Sequence, residues 1–491
     1  MCSRRPWVAL LALAASLASA SDDAPSAERA RLNLETFDTA WRLVDERFWD
    51  PEFGGVDWDA VREELRPEAE RSSSDRELRE VIGRMVARLG QSHFGVIAGS
   101  PDDGNDSGSV DAGDGQPTCA DGLPEHLLAA LETSTPTGAS AGPGLDVAWA
   151  EGTTLVARLD PEGPAMRAGI GLGWELLRVD GQPLADVARC LGAGLGPRTL
   201  ASLQHALVAA MLGGLPGTAL ELELRDARGE PRSIRLERED PSDSQIAHFG
   251  NLPPLRVRFS QRNLVVQGPP ADGLRIGVLR FDVWMIPIAN LFEDAMVELQ
   301  DAGGIVLDLR GNPGGIAGLA PGIAGFFMDE KLSLGTLRYR NDELRLNANP
   351  RRVTRTGQRL TPYEGPLAIL VDQFTASTSE IFAAAMQDHG RARVFGEPTA
   401  AAALPAVIER LPNGDLLMHA LADFERPGGG RVEGAGVTPD QLVPVTRDGL
   451  LRGVDEPLQA AVDWVILESV RKDAEAAAVE EAAAAPGGEI R

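Results

Sequence analysis

Three short segments of this chain carry residue types that can do acyl-transfer chemistry. In LAILVDQFTASTSEIFAAAMQDHG (367–390) an apolar strand, Leu367 to Val371, runs into a Ser/Thr-rich turn and then a helix predicted over Glu380 to Asp388. That layout lifts one hydroxyl, Ser377, to a helix N-terminus, where orphan N–H groups and the helix dipole favour developing negative charge. A serine there is a candidate nucleophile and needs a base. The chain has only two lysines, Lys331 and Lys472, and both are poorly placed in the sequence to serve. His93, in GQSHFGV, is the better candidate. The third segment, GIVLDLRGNPGG (304–315), is a buried strand running into a glycine turn. Without a Cβ at Gly314 and Gly315 the backbone can approach a ligand closely. An N–H there, with that of Thr378, would form an oxyanion hole worth a few kcal/mol. Each signal alone has a plainer reading. A Ser/Thr run before a helix is an N-cap, with Ser379 or Thr378 expected to hold it; a glycine turn reverses the chain; a histidine beside a helix end is structural. The three together point to one site.

The elements that would position these residues follow from pattern. Residues 28–98 read as a helical bundle. In ETFDTAWRLVDERFW the apolar residues recur at three-to-four spacing. A second helix is predicted from Trp58 to Leu65, and a third, capped by Ser74 or Asp75, ends at Gly90. His93 lies just beyond it. Residues 99–122 are Gly, Asp and Ser and read as an acidic flexible linker. Their acidic spacing does not fit a twelve-residue calcium loop with its closing Glu, so no metal is expected. Residues 140–240 alternate short strands and turns, with a hairpin at Asp180-Gly181 and a helix from Leu200 to Leu212. Residues 250–470 alternate strand and helix, the pattern of an α/β core with buried strands. Residues 473–491 read as a frayed low-complexity tail.

Composition bounds the partners. At 491 residues the chain needs several domains. A net charge of −26 argues against nucleic acid or an anionic membrane, both of which need basic patches. Arg4 and Arg5, the apolar run Trp7 to Leu17 and Ala18-Ser19-Ala20 read as a signal peptide over residues 1–20, which predicts a periplasmic or secreted protein. Cys2 leaves with that segment. Cys119 and Cys190 remain, a pair that can form a disulfide in an oxidising compartment.

With these motifs in view, the chain resembles the C-terminal-processing (tail-specific) and tricorn-type serine peptidases. DLRGNPGG and FTASTSEIFAAAMQDHGRARVFGEPT carry the resemblance, which covers nearly all of the chain after residue 20. It implies an α/β multidomain fold: an N-terminal helical bundle, a PDZ-like β-module and a crotonase-like catalytic core. The run GPAMRAGIGLGWELLRVDG is similar to PDZ domains. The resemblance implies that the loop Gly142 to Val147, with Gly144, Leu145, Asp146 and Val147, meets a peptide's C-terminus; peptide addition at a strand edge is a known recognition mode. Here Asp146-Val147 stands where that family carries an aromatic residue. The tail-specific branch uses a Ser/Lys dyad whose lysine corresponds to Ala402, inside Ala400 to Ala403, so that dyad is excluded. The tricorn-like branch uses a Ser-His-Ser-Glu tetrad, which implies Ser377 as nucleophile, His93 as base, Ser92 as link and Glu433 as acid. The oxyanion donors implied are Thr378 and the Gly314–Gly315 turn. Glu380 and Glu397 are alternative acids. The expected activity is exported serine endopeptidase action on unfolded or C-terminally exposed polypeptides, without a cofactor. The rivals are a non-catalytic ligand- or peptide-binding protein on the same fold and a scaffold acting through the PDZ-like module alone.

Overall fold

In the computed structural model, which describes residues 25–99, 141–185, 205, 207–241, 244–248, 250 and 254–484, three helices come first. They are α1 (Ala27–Arg47), α2 (Trp58–Arg71) and α3 (Asp75–Ala87). Each begins on a side chain that accepts an otherwise orphan N–H: Ser26 from Arg29, Asp57 from Ala60 and Ser74 from Glu77. Their apolar faces bury Phe37, Phe48, Leu65, Leu78 and Met85. Burying one such side chain contributes about 1.5–3 kcal/mol. The chain leaves α3 through Gly90, at φ +64°, and enters the short strand β1 (Gly95–Ile97). The expected signal segment 1–20, Cys119 and Cys190, and all of the expected linker 99–122 but Gly99 lie outside the described residues.

A six-stranded antiparallel sheet follows. Its strands are β2 (Leu145–Ala150), β3 (Thr153–Leu159), β4 (Glu175–Val179), β5 (Gln182–Pro183), β6 (Ala219–Arg225) and β7 (Pro231–Glu237). The order is β2-β3-β4-β6-β7, with β5 on β4. The short helix α4 (Pro164–Arg167) and helical residues 207–212 cover it, burying Ala165, Leu207 and Val208 against Leu176, Val179 and Leu222.

The remaining chain builds around one larger sheet. Its elements are β8 (Ser244–Ala247), β9 (Leu255–Val265), β10 (Arg275–Phe281), α5 (Ile286–Glu298), β11 (Gly304–Asp308), α6 (Leu319–Ala324), β12 (Leu332–Tyr339), β13 (Glu343–Ala348), β14 (Leu367–Val371) and α7 (Thr378–Asp388). There follow β15 (Arg393–Gly396), β16 (Ala406–Arg410), β17 (Leu416–Ala420), β18 (Ala422–Glu425), β19 (Gln441–Leu442), α8 (Arg447–Leu451) and α9 (Glu456–Ala484). Seven strands run β19-β15-β14-β11-β10-β9-β8, parallel from β19 to β10 and antiparallel beyond. β11 and β14 are buried along their whole length, as parallel strands covered on both faces are. Alternate residues face opposite ways. Ile305, Leu307 and Ile369 pack with Phe292 of α5 and Phe382 of α7, whereas Val306 and Leu370 pack with Ala461 and Val465 of α9. α9 continues through Asp473 to Ala484, so the tail boundary expected at 473 falls inside a helix.

Two smaller sheets complete the molecule, ordered β13-β12-β18 and β1-β17-β16. The second matters for the site. β1 pairs antiparallel with β17, Val96 opposite Leu417, and Leu404, Leu411 and Leu417 complete the core of the N-terminal helices. The helical unit and the end of the α/β core are thus one packed body around residues 92–97.

Candidate active site

The proposed nucleophile and oxyanion donors sit in loops at the C-terminal ends of β11 and β14, braced by the loop after β10. The turn after β14 is knotted by Asp372. Its carboxylate accepts the N–H groups of Phe374 and Thr375 at 3.0 Å each, and that of Gly311, in the turn after β11, at 2.9 Å. One side chain therefore holds two strand ends together. Ser377 then turns the chain into α7 at φ +54°, ψ −121°. A non-glycine residue held there costs on the order of 1–3 kcal/mol, and such strain persists only where the surroundings over-determine it. The surroundings are two hydrogen bonds from the Ser377 N–H, to Ala402 O (2.7 Å) and to the Glu380 carboxylate (3.2 Å). Glu380 is fully buried and also accepts from Ala401 N (2.8 Å), Ala402 N (2.9 Å) and Thr399 Oγ1. Burial pushes its carboxyl up to about 7, against the pull of these donors.

The Ser/Thr run is spent differently from what the sequence suggests. Neither Thr378 nor Ser379 caps the helix; Ser377 is the N-cap residue. The Thr378 hydroxyl donates to Gly315 O at 2.9 Å, and the Ser379 hydroxyl accepts from Trp284 Nε1 at 2.8 Å. The two glycines also part company. Gly314 N–H donates to Asn312 Oδ1 at 2.9 Å and so is not free for an oxyanion. Among the described residues no acceptor faces the N–H of Gly315 or of Thr378, and these two remain available. Gly314 has a steric task instead. A Cβ on it would lie 2.6 Å from Ser377 Cβ and 3.0 Å from Thr378 N.

His93 reaches the same region from the helical unit, its backbone in the left-handed region at φ +60°. Ser92 Oγ lies 2.7 Å from His93 Nδ1 and 2.8 Å from Glu433 Oε2. Glu433 also accepts Ser92 N and Ala403 N, each at 2.9 Å. Three donors converge on this carboxylate, so it acts as acceptor. Ser92 must then give its one proton to Glu433 and accept from His93 Nδ1–H, which leaves the lone pair on Nε2. Desolvation lowers the imidazole from 6.5 to about 4. Burial raises Glu433, opposed by Ser92 and Ala403. Among the described residues no hydrogen bond joins Ser377 Oγ to His93. The connection runs through backbone: Ser377 N–H holds Ala402, and Ala403 N–H holds Glu433. Catalytic hydrogen bonds are often long in unliganded sites and tighten with substrate.

Residues 275–443 match peptidase family S41, and residues 33–87 match the tricorn protease C1 domain. The chain thus carries a peptidase S41 domain and a tricorn C1 domain. It is a serine peptidase of mixed α/β multidomain fold. It is 29% identical over 434 residues to carboxyl-terminal-processing peptidase 2, chloroplastic, of Arabidopsis thaliana, covering 86% of this chain and 71% of that one. It is 27% identical over 434 residues to the carboxyl-terminal-processing protease of a Picosynechococcus species, covering 86% and 87%. The solved photosystem II D1 C-terminal processing protease superposes with a TM-score of 0.52 at 23% identity, covering 87% of this chain and 98% of that one, a likeness of fold.

The remaining predicted residues of this serine peptidase fall elsewhere. Lys331 is exposed beside β12, and Lys472 on α9 donates to Glu364 O. Glu397, half-buried after β15, makes none of the contacts that Glu433 makes to Ser92. In the β-module Gly144, at φ +71°, packs on Gly163, Leu145 and Val147 enter the module's own core, and Asp146 pairs with Arg158 and Arg280. Among the described residues no group of side chains is arranged to hold a metal ion, and no helix is long and apolar enough to cross a membrane. Sequence reasoning did not single out Trp284, Asn312 or Asp372. Asn312 lies inside the GNPGG turn already singled out; Trp284 carried no local signal at all.

Proposed function

We propose that this serine peptidase is an exported, histidine-dependent endopeptidase that cleaves unfolded or C-terminally exposed polypeptides, with Ser377 as nucleophile and His93 as general base. The observation that carries the reading is the chain Glu433–Ser92–His93, two hydrogen bonds of 2.8 and 2.7 Å whose donor order fits an imidazole with a free lone pair on Nε2. Both lysines lie away from Ser377, so a Ser/Lys dyad has no base here.

In the first half-reaction Ser377 Oγ attacks the scissile carbonyl while its proton passes to His93 Nε2. The N–H groups of Thr378 and Gly315 hold the oxyanion. The tetrahedral intermediate collapses, the C–N bond breaks, and His93 returns the proton to the leaving amine. Water then gives a proton to His93, attacks the acyl carbon and releases the new carboxyl terminus with Ser377 restored. Ser92 and Glu433 keep the imidazole oriented and stabilise its cation, triad logic with one added hydroxyl.

Export rests on the N-terminal residues Arg4, Arg5 and Trp7 to Leu17 ahead of Ala18-Ser19-Ala20. The preference for exposed C-termini rests on the relatives' names and on the sequence likeness of residues 140–240 to a PDZ domain. A crotonase-like lineage for the core rests on the alternating pattern around β10, β11 and β14. The test is turnover of a denatured protein by the chain, by Ser377→Ala and by His93→Ala. Loss in both variants supports the reading. Loss in Ser377→Ala alone removes His93 as base.

A further inference from the structure

The two amides assigned to the oxyanion belong to different loops. Gly315 follows β11 and Thr378 follows β14. An oxyanion hole works only if its donors are fixed before charge develops, about 2.7–3.1 Å from the oxyanion position. Something must set the spacing between these loops. The described contacts at this point converge on one residue of a third loop, Trp284 after β10.

Trp284 grips the Gly315 side through backbone. Its N–H donates to Gly314 O, and its O accepts from Ile316 N, each at 2.8 Å. The approach is close enough that a Cβ on Gly315 would lie 2.4 Å from Trp284 O. The same residue grips the Thr378 side through its indole, whose Nε1–H donates to Ser379 Oγ at 2.8 Å. The loop is closed by the Thr378 hydroxyl, which donates to Gly315 O at 2.9 Å. Trp284 and Ser379 are fully buried and Thr378 almost so. Trp284 packs edge-on to Phe281 and beside Phe382, centroids 4.9 and 5.4 Å away, so its ring cannot swing out. Each hydroxyl of Thr378 and Ser379 is thus committed to a cross-loop bond rather than to capping α7.

We propose that Trp284, through Ser379, and the Thr378 hydroxyl, through Gly315 O, form a brace that sets the distance between the Gly315 and Thr378 amides. They are positioning residues for transition-state stabilisation. This inference rests on the reading of Ser377 as nucleophile with these two amides as donors. The brace touches neither the acyl carbon nor the leaving group. Loosening it therefore weakens the transition state and spares substrate binding.

The experiment compares Thr378→Val, Thr378→Ser, Ser379→Ala, Trp284→Phe and Ser377→Ala in the full chain. Three quantities are read on each: kcat, KM for a peptide cut from a denatured protein substrate, and affinity for a boronic acid carrying that peptide's acyl-side residues. The bound boronate is tetrahedral on the serine, whereas the peptide, as bound before attack, is still trigonal at its carbonyl carbon. Removing an oxyanion donor outright costs about 10²–10³ in kcat, so misplacing one is expected to cost on the order of tenfold. Thr378→Val and Ser379→Ala should lose about that much in both kcat and boronate affinity at unchanged KM. Thr378→Ser, which keeps the hydroxyl, should restore both. Trp284→Phe should behave as Ser379→Ala does; if it does not fold, the other three variants still decide. Equal loss in kcat and substrate binding, or a Thr378→Val enzyme that matches the parent while Ser377→Ala is inactive, overturns the brace. Activity surviving in Ser377→Ala overturns the underlying reading instead.

Discussion

Glu433 accepts hydrogen bonds from Ser92 N, Ser92 Oγ and Ala403 N, so one buried carboxylate joins the end of the helical unit to the segment beside Ser377. The two contacts to Ser92 orient the residue next to His93, and the third ties that orientation to the nucleophile's own backbone partner, Ala402. On the proposed mechanism Glu433 is both a structural link and the acid end of the relay. Its predicted signature is a kcat defect larger than any stability defect. Glu433→Gln puts an amide NH₂ among three donors; kcat should fall by at least ~10²-fold, the usual scale of general acid–base assistance. Steady-state kinetics beside a thermal melt checks this, and an unchanged kcat removes Glu433 from the mechanism.

On the proposed mechanism His93 sets the acid limb of the pH profile. Its active form is neutral, and desolvation lowers its pKa to about 4. As pH falls, kcat/KM should therefore hold through the ordinary imidazole range and drop only near 4, since that profile reports the free enzyme. Stability carries the matching sign. Between 6.5 and about 4 the unfolded chain binds a proton that the folded site refuses, so acidification across this window destabilises the fold. A limb near 6.5 would show that His93 is hydrated as an ordinary surface histidine.

Gly314→Ala tests the closeness of the two loops. The added methyl would sit 2.6 Å from Ser377 Cβ, at a backbone φ of +101° that L-residues avoid. The change should abolish turnover and lower stability by about 1–3 kcal/mol, the cost of strain at such a position. Chemical denaturation and a cleavage assay measure the two effects separately.

Asp372 should be a stability residue. Asp372→Ala would strand the N–H groups of Gly311 and Phe374, whereas that of Thr375 keeps the Asp372 backbone oxygen. Leaving such donors unpaired costs about 1–3 kcal/mol each when they are fully buried, so a total of roughly 2–4 kcal/mol is expected for this half-buried turn. A lowered unfolding midpoint at an unchanged m-value is the check.

The apolar run Leu367 to Val371, the helix after it and the three N-terminal helices were legible because their periodicity is local. Ser377 and His93 were singled out from short motifs, and Ser92 and Glu433 through the family resemblance; the structure joins Ser92, His93 and Glu433 in one hydrogen-bonded chain. What was not legible is how they are joined. β1 and β17 pair across most of the chain's length, and no local pattern announces that Val96 will lie opposite Leu417. The Ser/Thr run does hold the N-cap, but at Ser377 rather than at Thr378 or Ser379, whose partners, Gly315 and Trp284, are distant in sequence. Gly314 and Gly315 look equivalent in GNPGG. Only the Asn312 side chain, taking the N–H of one, separates their roles. Asp473 looked like the start of a frayed tail because its low-complexity Ala/Glu sequence has no apolar face, yet that composition also favours helix, and α9 continues.

The central claim is that Ser377 is activated by His93, and its most direct test is the rate at which a fluorophosphonate labels the protein, followed by intact mass and peptide mapping. One adduct on Ser377 is predicted for the parent chain, none at that position for Ser377→Ala, and labelling slowed by at least ~10²-fold for His93→Ala. Labelling of His93→Ala at the parent rate, or an adduct on any other serine, would contradict the account.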